Sequence, residues 1–138
     1  MKRIVFCFNT SWFAHNHRLG LMLECQNAGW DVHIICPDGP EVSELRKYRF
    51  TVHVQEISRK GTNPLKELRT LAQLFSKIKK LKPDVYHGFT IKPVIYGALC
   101  CRWARVEKAL FTITGLGSAF MGRGAKAQLV KWVLGQLY

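Results

Sequence analysis

Short apolar runs recur along this chain, each followed by a polar or glycine-containing turn and then by a stretch with helical spacing. That alternation is what βαβ units require, and it restricts the chain to a sheet whose strands are joined by helical crossovers. The runs cover residues 4–8, 32–36, 52–57, 85–87 and 109–114. The first and last are almost continuously apolar, which suits strands covered by helices on both faces.

The stretches between the runs carry helix signals. Over 18–28, Leu19, Met22 and Leu23 fall at helical spacing, and Gly29 follows as a residue able to close a helix in the left-handed conformation. Asn63 is a capping residue before Pro64, whose missing N–H costs nothing at a first helical position. The helix so opened has Leu65, Leu68, Leu71, Ala72, Phe75, Ile78 and Leu81 as its expected buried stripe, with Lys66, Arg69, Lys77, Lys79, Lys80 and Lys82 mostly off it. Further helices are expected over 93–105 and from about 125, where Leu129, Val130, Val133, Leu134 and Leu137 recur. That last helix reaches Tyr138 without a glycine cap or a following strand, so the reading is one domain over 1–124 and, over 125–138, the start of a helix leading to a missing remainder. The fold class is α/β, a Rossmann-like parallel sheet flanked by helices.

Hydrophobic residues make up 48% of the chain and charged residues 22%, which excludes the composition of a disordered segment. Lys and Arg exceed Asp and Glu only in the second part: residues 1–56 hold six of each, whereas 57–138 hold fifteen against three. Such an excess calls for an anionic partner, a nucleotide diphosphate, a lipid phosphate, a membrane surface or nucleic acid, and charge alone does not choose. The five cysteines, Cys7, Cys25, Cys36, Cys100 and Cys101, lie in apolar stretches without metal or redox spacing and read as reduced core residues of a cytosolic protein. No apolar run approaches the roughly 20 residues needed to cross a bilayer, so membrane contact is expected to be peripheral.

In a parallel sheet, ligands bind at the rim formed by the carboxyl ends of the strands. The first rim loop, 9–16, brings Trp12, Phe13, His15 and His17 together and leads to Arg18, and a helix beginning near Asn16 would add anion-binding amides. Packing of the two aromatics onto the loop, with solvated histidines, is the competing reading. His15 and His17 stand two apart with no third ligand nearby, so no metal is expected. Gly115 and Gly117 follow the fifth run as Gly-x-Gly, yet Gly122 is misplaced for a dinucleotide fingerprint; they shape a turn or let backbone approach a ligand. Walker loops, Gly-x-Ser-x-Gly elbows and paired rim carboxylates are absent, which argues against a self-contained kinase or hydrolase. Lys77, Lys79, Lys80 and Lys82 offset the dipole at the end of their helix, and can equally rest on an anionic membrane surface. Basic residues do not interleave with aromatics, so no nucleic acid partner is expected.

The stretches Trp12-Phe13, Asn16-His17-Arg18-Leu19, Gly29-Trp30-Asp31-Val32-His33, Pro37-Asp38-Gly39, Ser58 to Pro64, Lys82-Pro83-Asp84-Val85-Tyr86-His87, Phe89-Thr90-Ile91-Lys92-Pro93 and Thr112 to Gly117 form a combination. It resembles the N-terminal domain of retaining family 4 glycosyltransferases of GT-B architecture, in the bacterial subgroup that makes lipid-linked oligosaccharides and surface polysaccharides. The resemblance spans nearly the whole chain. It implies transfer of a sugar from a nucleotide-sugar donor, UDP-linked in many relatives, to a glycan or polyprenyl-diphosphate-linked acceptor, without cofactor or metal. By residue matching it assigns Asn16, His17 and Arg18 to the acceptor cleft, Thr90 and Lys92 to its wall, and Gly115 and Gly117 to a donor-facing turn. Thr114 stands where many relatives have a histidine, so no catalytic residue carries over.

The resemblance further implies that a C-terminal donor-binding domain is missing and that the chain by itself is inactive, in the cytoplasm or at the inner face of the cell membrane. The alternative from another class is a non-catalytic membrane-surface subunit that pairs with a separate donor-binding chain.

Overall fold

A computed structural model describes residues 2–57 and 63–113. They alternate strand and helix as β1 (Arg3–Cys7), α1 (Ser11–His17), α2 (Leu19–Asn27), β2 (Asp31–Cys36), α3 (Glu41–Lys47), β3 (Thr51–Val54), α4 (Pro64–Leu81), β4 (Val85–Phe89), α5 (Ile91–Ala104) and β5 (Lys108–Thr112). Every strand pair is parallel, and the order across the sheet is β3-β2-β1-β4-β5. The chain therefore winds outward from β1 and then returns to its other side, which puts the topological switch point between β1 and β4.

The strands bury residues alternately against two helical layers. One face packs Phe6, Phe8, Ile34 and Phe89 against Ala14 of α1, Met22 of α2 and Leu45 of α3. The other packs Val5, Cys7, Ile35 and Tyr86 against Leu74 and Ile78 of α4 and Cys100 and Cys101 of α5. Tyr86 is held there by donating its hydroxyl to the carbonyl of Pro93 at 2.7 Å. Close approach of α5 to the sheet needs Gly97, where a Cβ would run into the Tyr86 ring, and Gly88, where it would stand 2.8 Å from the Pro93 oxygen.

At the amino edge of the sheet, Arg3 gathers the chain. Its backbone N–H donates to Asp84 at 2.7 Å and its guanidinium to Asp31 at 2.8 Å and to the Leu81 carbonyl at 2.6 Å. The Gly-Trp-Asp and Lys-Pro-Asp stretches thus hold the fold at the edge opposite the ligand rim.

Several expectations change. Residues 9–16 are not a loop: the Thr10 hydroxyl accepts from the Phe13 N–H at 3.1 Å and starts α1, a helix too short and too mixed in composition to show a stripe. The next helix accordingly begins at Leu19 rather than near Asn16. Short α3 carried only Val42 and Leu45 as buried signal. Strand β3 ends at Val54, short of Ile57, which releases Glu56 onto the rim. The last described strand, β5, lies at the sheet edge with Leu110 exposed rather than covered on both faces.

Helix α4 keeps its expected cap, since Asn63 accepts from the Leu65 N–H at 3.1 Å, but it sits rotated. Thr70, Leu74 and Ile78 are buried, while Leu65 and Leu68 are 79% and 63% exposed and Ala72 also faces out. Gly29 does adopt the left-handed conformation, with φ 95°. The helix expected from 125, and the 125–138 segment with it, lies outside the described residues.

Candidate functional site

The crevice at the switch point is built by the carboxyl ends of β1 and β4 and by the helices that leave them. Phe8 and Phe89 stack across it with ring centroids 4.8 Å apart, and Phe13 of α1 packs 6.1 Å from Phe8 and 6.2 Å from Phe89. Burial of Phe8 and Phe89 is essentially complete. Removing either ring would cost about 3–5 kcal/mol, so this floor is rigid.

Arg18 lies on that floor. Its guanidinium carbon is 5.2 Å from the centroids of both Phe13 and Phe89. The guanidinium donates to the His17 carbonyl at 2.9 Å and has no carboxylate partner among the described residues. A half-buried cation held over two rings, with most of its donors unspent, is suited to a phosphate. Beneath it, His87 stacks on Phe89 at 4.1 Å and pairs with the Thr112 hydroxyl at 2.8 Å. Burial, reinforced by the charge of Arg18, pushes the His87 imidazole down to about 4. It is therefore neutral at physiological pH and does not compete with Arg18 for an anion.

Thr90 closes the crevice from the other side. Its backbone has φ 70° and ψ 174°, a region used almost only by glycine, and costs about 1–3 kcal/mol to hold. The conformation is fixed from both directions: the Thr90 N–H donates to the Thr112 carbonyl at 3.1 Å and its carbonyl accepts from Val94 at 3.1 Å. Its hydroxyl is buried without a hydrogen-bond partner, the one such side-chain atom among the described residues. A buried hydroxyl left unmatched at the start of the 14-residue α5 offers a donor to a bound ligand.

The residues assigned from sequence divide accordingly. Arg18 lies over Phe89, the residue that precedes Thr90. His17 packs its ring edge-on to Trp12 at 5.0 Å and beside Phe13 at 5.2 Å, and Asn16 donates back to the Trp12 carbonyl at 3.0 Å, so both brace α1. The Lys92 ammonium is 2.6 Å from Glu67 of α4, and Tyr96 also donates to Glu67. That pairing ties α5 to α4 and could not be read from sequence, because Glu67 lies 25 residues away. Gly115 and Gly117 lie outside the described residues, as do Arg59, Lys60 and Thr114.

Among the lysines expected to face a membrane, Lys79, Lys80 and Lys82 are exposed. Lys77 departs from them. Its ammonium donates to Gln55 at 2.8 Å, and burial holds its pKa below the usual lysine range. No helix among the described residues is long and apolar enough to cross a membrane.

Known proteins resemble this chain in sequence and fold. The chain is 28% identical over 136 residues to the N,N'-diacetylbacillosaminyl-diphospho-undecaprenol alpha-1,3-N-acetylgalactosaminyltransferase of Campylobacter jejuni, covering 99% of the chain and 36% of that protein. It is 26% identical over 108 residues to the UDP-Gal:alpha-D-GlcNAc-diphosphoundecaprenol alpha-1,3-galactosyltransferase of Escherichia coli, covering 78% of the chain and 28% of that protein. It thus spans about a third of the length of these relatives. A glycosyltransferase from Rickettsia africae has the same fold, with a TM-score of 0.66 at 21% identity over 86% of this chain and 32% of that one. The pattern described as glycosyl transferase 4-like matches residues 3–136, and with a switch-point crevice in the place that fold reserves for ligands, the chain belongs to the glycosyl transferase 4-like family.

Proposed function

We propose that these 138 residues form the acceptor-side part of an enzyme that transfers a sugar from a nucleotide-sugar, UDP-linked as in one of the relatives, to a polyprenyl-diphosphate-linked glycan. One observation carries the assignment. Arg18, held on two phenyl rings without a carboxylate partner, and Thr90, strained with its hydroxyl unmatched, converge where a diphosphate would be received. The relatives that the chain resembles are named for undecaprenol-linked diphosphate substrates, which supplies the class of anion. The donor-side wall, with the groups that receive the leaving nucleotide, then comes from protein beyond this domain, and these residues by themselves catalyse no transfer.

The acceptor's lipid also gives a reason for peripheral membrane contact. Helix α4 runs antiparallel to the strands, so its first turns lie near the ligand rim, and Lys79, Lys80 and Lys82 lie at the other end of an 18-residue helix about 27 Å long. Exposed Leu65 and Leu68, beside Lys66 and Arg69, are the end of α4 suited to meet a bilayer that presents a substrate to the rim. The reading as a non-catalytic membrane-surface subunit rests on the same face.

The test is binding and turnover of a sugar-bearing short-chain prenyl diphosphate by the purified chain. Saturable binding of this acceptor analogue, weak binding of UDP and no sugar transfer are expected. Tight binding of UDP without the acceptor analogue would reverse the acceptor-side assignment, and transfer of sugar would refute the need for a second wall.

A further inference from the structure

Beside the crevice, across α1, lies a second concavity that the diphosphate reading leaves unused. It is a cleft of about 550 Å³ at the carboxyl ends of β1, β2 and β3, lined by Asn9, Trp12, Asp38, Glu41, Glu56 and Lys66 among others. Its chemistry is opposite to that of the crevice. Three carboxylates face one lysine, so among the described residues the cleft is net negative in a chain whose net charge is +12. A phosphate would be repelled here.

The lining groups are those that hold a neutral, hydroxyl-rich ring. Trp12 leaves 54% of its surface exposed at the lip, although an indole of this size is normally among the best-buried side chains. Its ring meets that of His17 edge-on at 5.0 Å. Glu41 is already engaged by the Ser11 hydroxyl at 2.8 Å and one oxygen of Asp38 by the Gly39 N–H at 2.9 Å. Glu56 and Asn9, by contrast, have no side-chain partner among the described residues, and the second oxygen of Asp38 is likewise available. A carboxylate accepts from two adjacent hydroxyls, an amide both donates and accepts, and an aromatic face packs against the C–H face of a pyranose.

We infer that this cleft is a subsite for an uncharged pyranose of the acceptor glycan, with Trp12 as stacking platform and Asp38, Glu56 and Asn9 as hydroxyl partners. The inference rests on the acceptor-side reading above for the source of the sugar. Helix α1, seven residues and about 10 Å long, separates the two sites, so one extended ligand can place its diphosphate at Arg18 and a sugar at Trp12.

The experiment separates the two claims by using each half of the ligand alone. The uniformly isotopically labelled chain is titrated with an N-acetylhexosamine disaccharide that carries no phosphate, and separately with inorganic pyrophosphate. The disaccharide should shift the Trp12 indole signal saturably at millimolar concentration, with Glu56→Gln weakening the interaction about tenfold. Read from the Asn9 and Glu56 signals, Trp12→Ala should abolish the disaccharide response, and Trp12→Phe, which keeps an aromatic face, should retain part. Pyrophosphate should leave Trp12 unmoved and shift Arg18 and Thr90. A silent Trp12 with a normal pyrophosphate response overturns the sugar subsite and leaves the diphosphate reading intact. A response to the disaccharide with none to pyrophosphate removes that reading and, with it, the acceptor as the source of the sugar.

Discussion

The guanidinium of Arg18 lies 5.2 Å above the ring of Phe89, joining a helix cap from one half of the sheet to the last residue of β4 from the other. The contact spans the switch point, so a ligand held by Arg18 is held by both halves at once. Arg18→Ala should weaken pyrophosphate binding by one to two orders of magnitude, the equivalent of about 1.5–3 kcal/mol for a charged hydrogen bond. Arg18→Lys keeps the charge but not the planar stack and should recover only part of the affinity. Calorimetric titration of the three proteins checks this, and equal affinities would remove Arg18 from the site.

Thr90 is predicted to trade stability for binding. Thr90→Gly relieves the strained backbone and removes the unmatched hydroxyl, against an entropic cost of about 0.5–1 kcal/mol for glycine. The variant should melt a few degrees higher while binding pyrophosphate several-fold more weakly. A lower melting temperature with unchanged affinity would show that Thr90 has neither role.

Lys92 should behave as a structural residue. Both it and Glu67 are largely buried, at 15% and 18% side-chain exposure, so Lys92→Ala removes a largely buried ion pair that ties α5 to α4. A loss of about 1–3 kcal/mol in chemical denaturation is expected, with pyrophosphate affinity changed by less than about threefold. A large affinity loss at unchanged stability would return Lys92 to the crevice wall.

Stability should fall in mild acid. The folded-state pKa of His87 is depressed from 6.5 to about 4, so between those values the unfolded chain takes up a proton that the folded chain refuses. The neutral ring's contribution is complete above pH 6.5 and is lost as the pH drops toward 4, below which it no longer changes. Discounted for the part of the ring that water reaches, the loss is about 1–2 kcal/mol. Burial and the neighbouring His33 lower His53 as well, adding a slope of the same sign. Denaturant midpoints measured across this range should decline with pH, and His87→Gln should flatten the larger part of the decline.

Much of the architecture was legible because its causes are local. The alternation of apolar runs with helical stretches specified the parallel α/β sheet, and Asn63-Pro64 and Gly29 marked helix ends through side-chain and backbone preferences that operate within a few residues. The signal failed where local information is thin. Helix α1 has only Ser11 and Ala14 buried, too little for a pattern, and α4 is rotated so that Leu74 rather than Leu65 or Leu68 meets the sheet. Extending β3 to residue 57 hid Glu56 inside a strand and with it one wall of the Trp12 cleft.

The sequence alone determined which segments become most of the strands and helices and that the strands run parallel, with their carboxyl ends on one rim. Tertiary structure decided how the rim residues are partnered. Arg18 is seated by rings from two distant segments, Lys92 is claimed by Glu67 in another helix, and Thr90 is locked into a glycine-like conformation by its bond to Thr112. Local preferences act over a turn or two of chain, whereas the contacts of Arg18 with Phe89, Lys92 with Glu67 and Thr90 with Thr112 join residues 22 to 71 positions apart, and nothing in the intervening sequence encodes their distance.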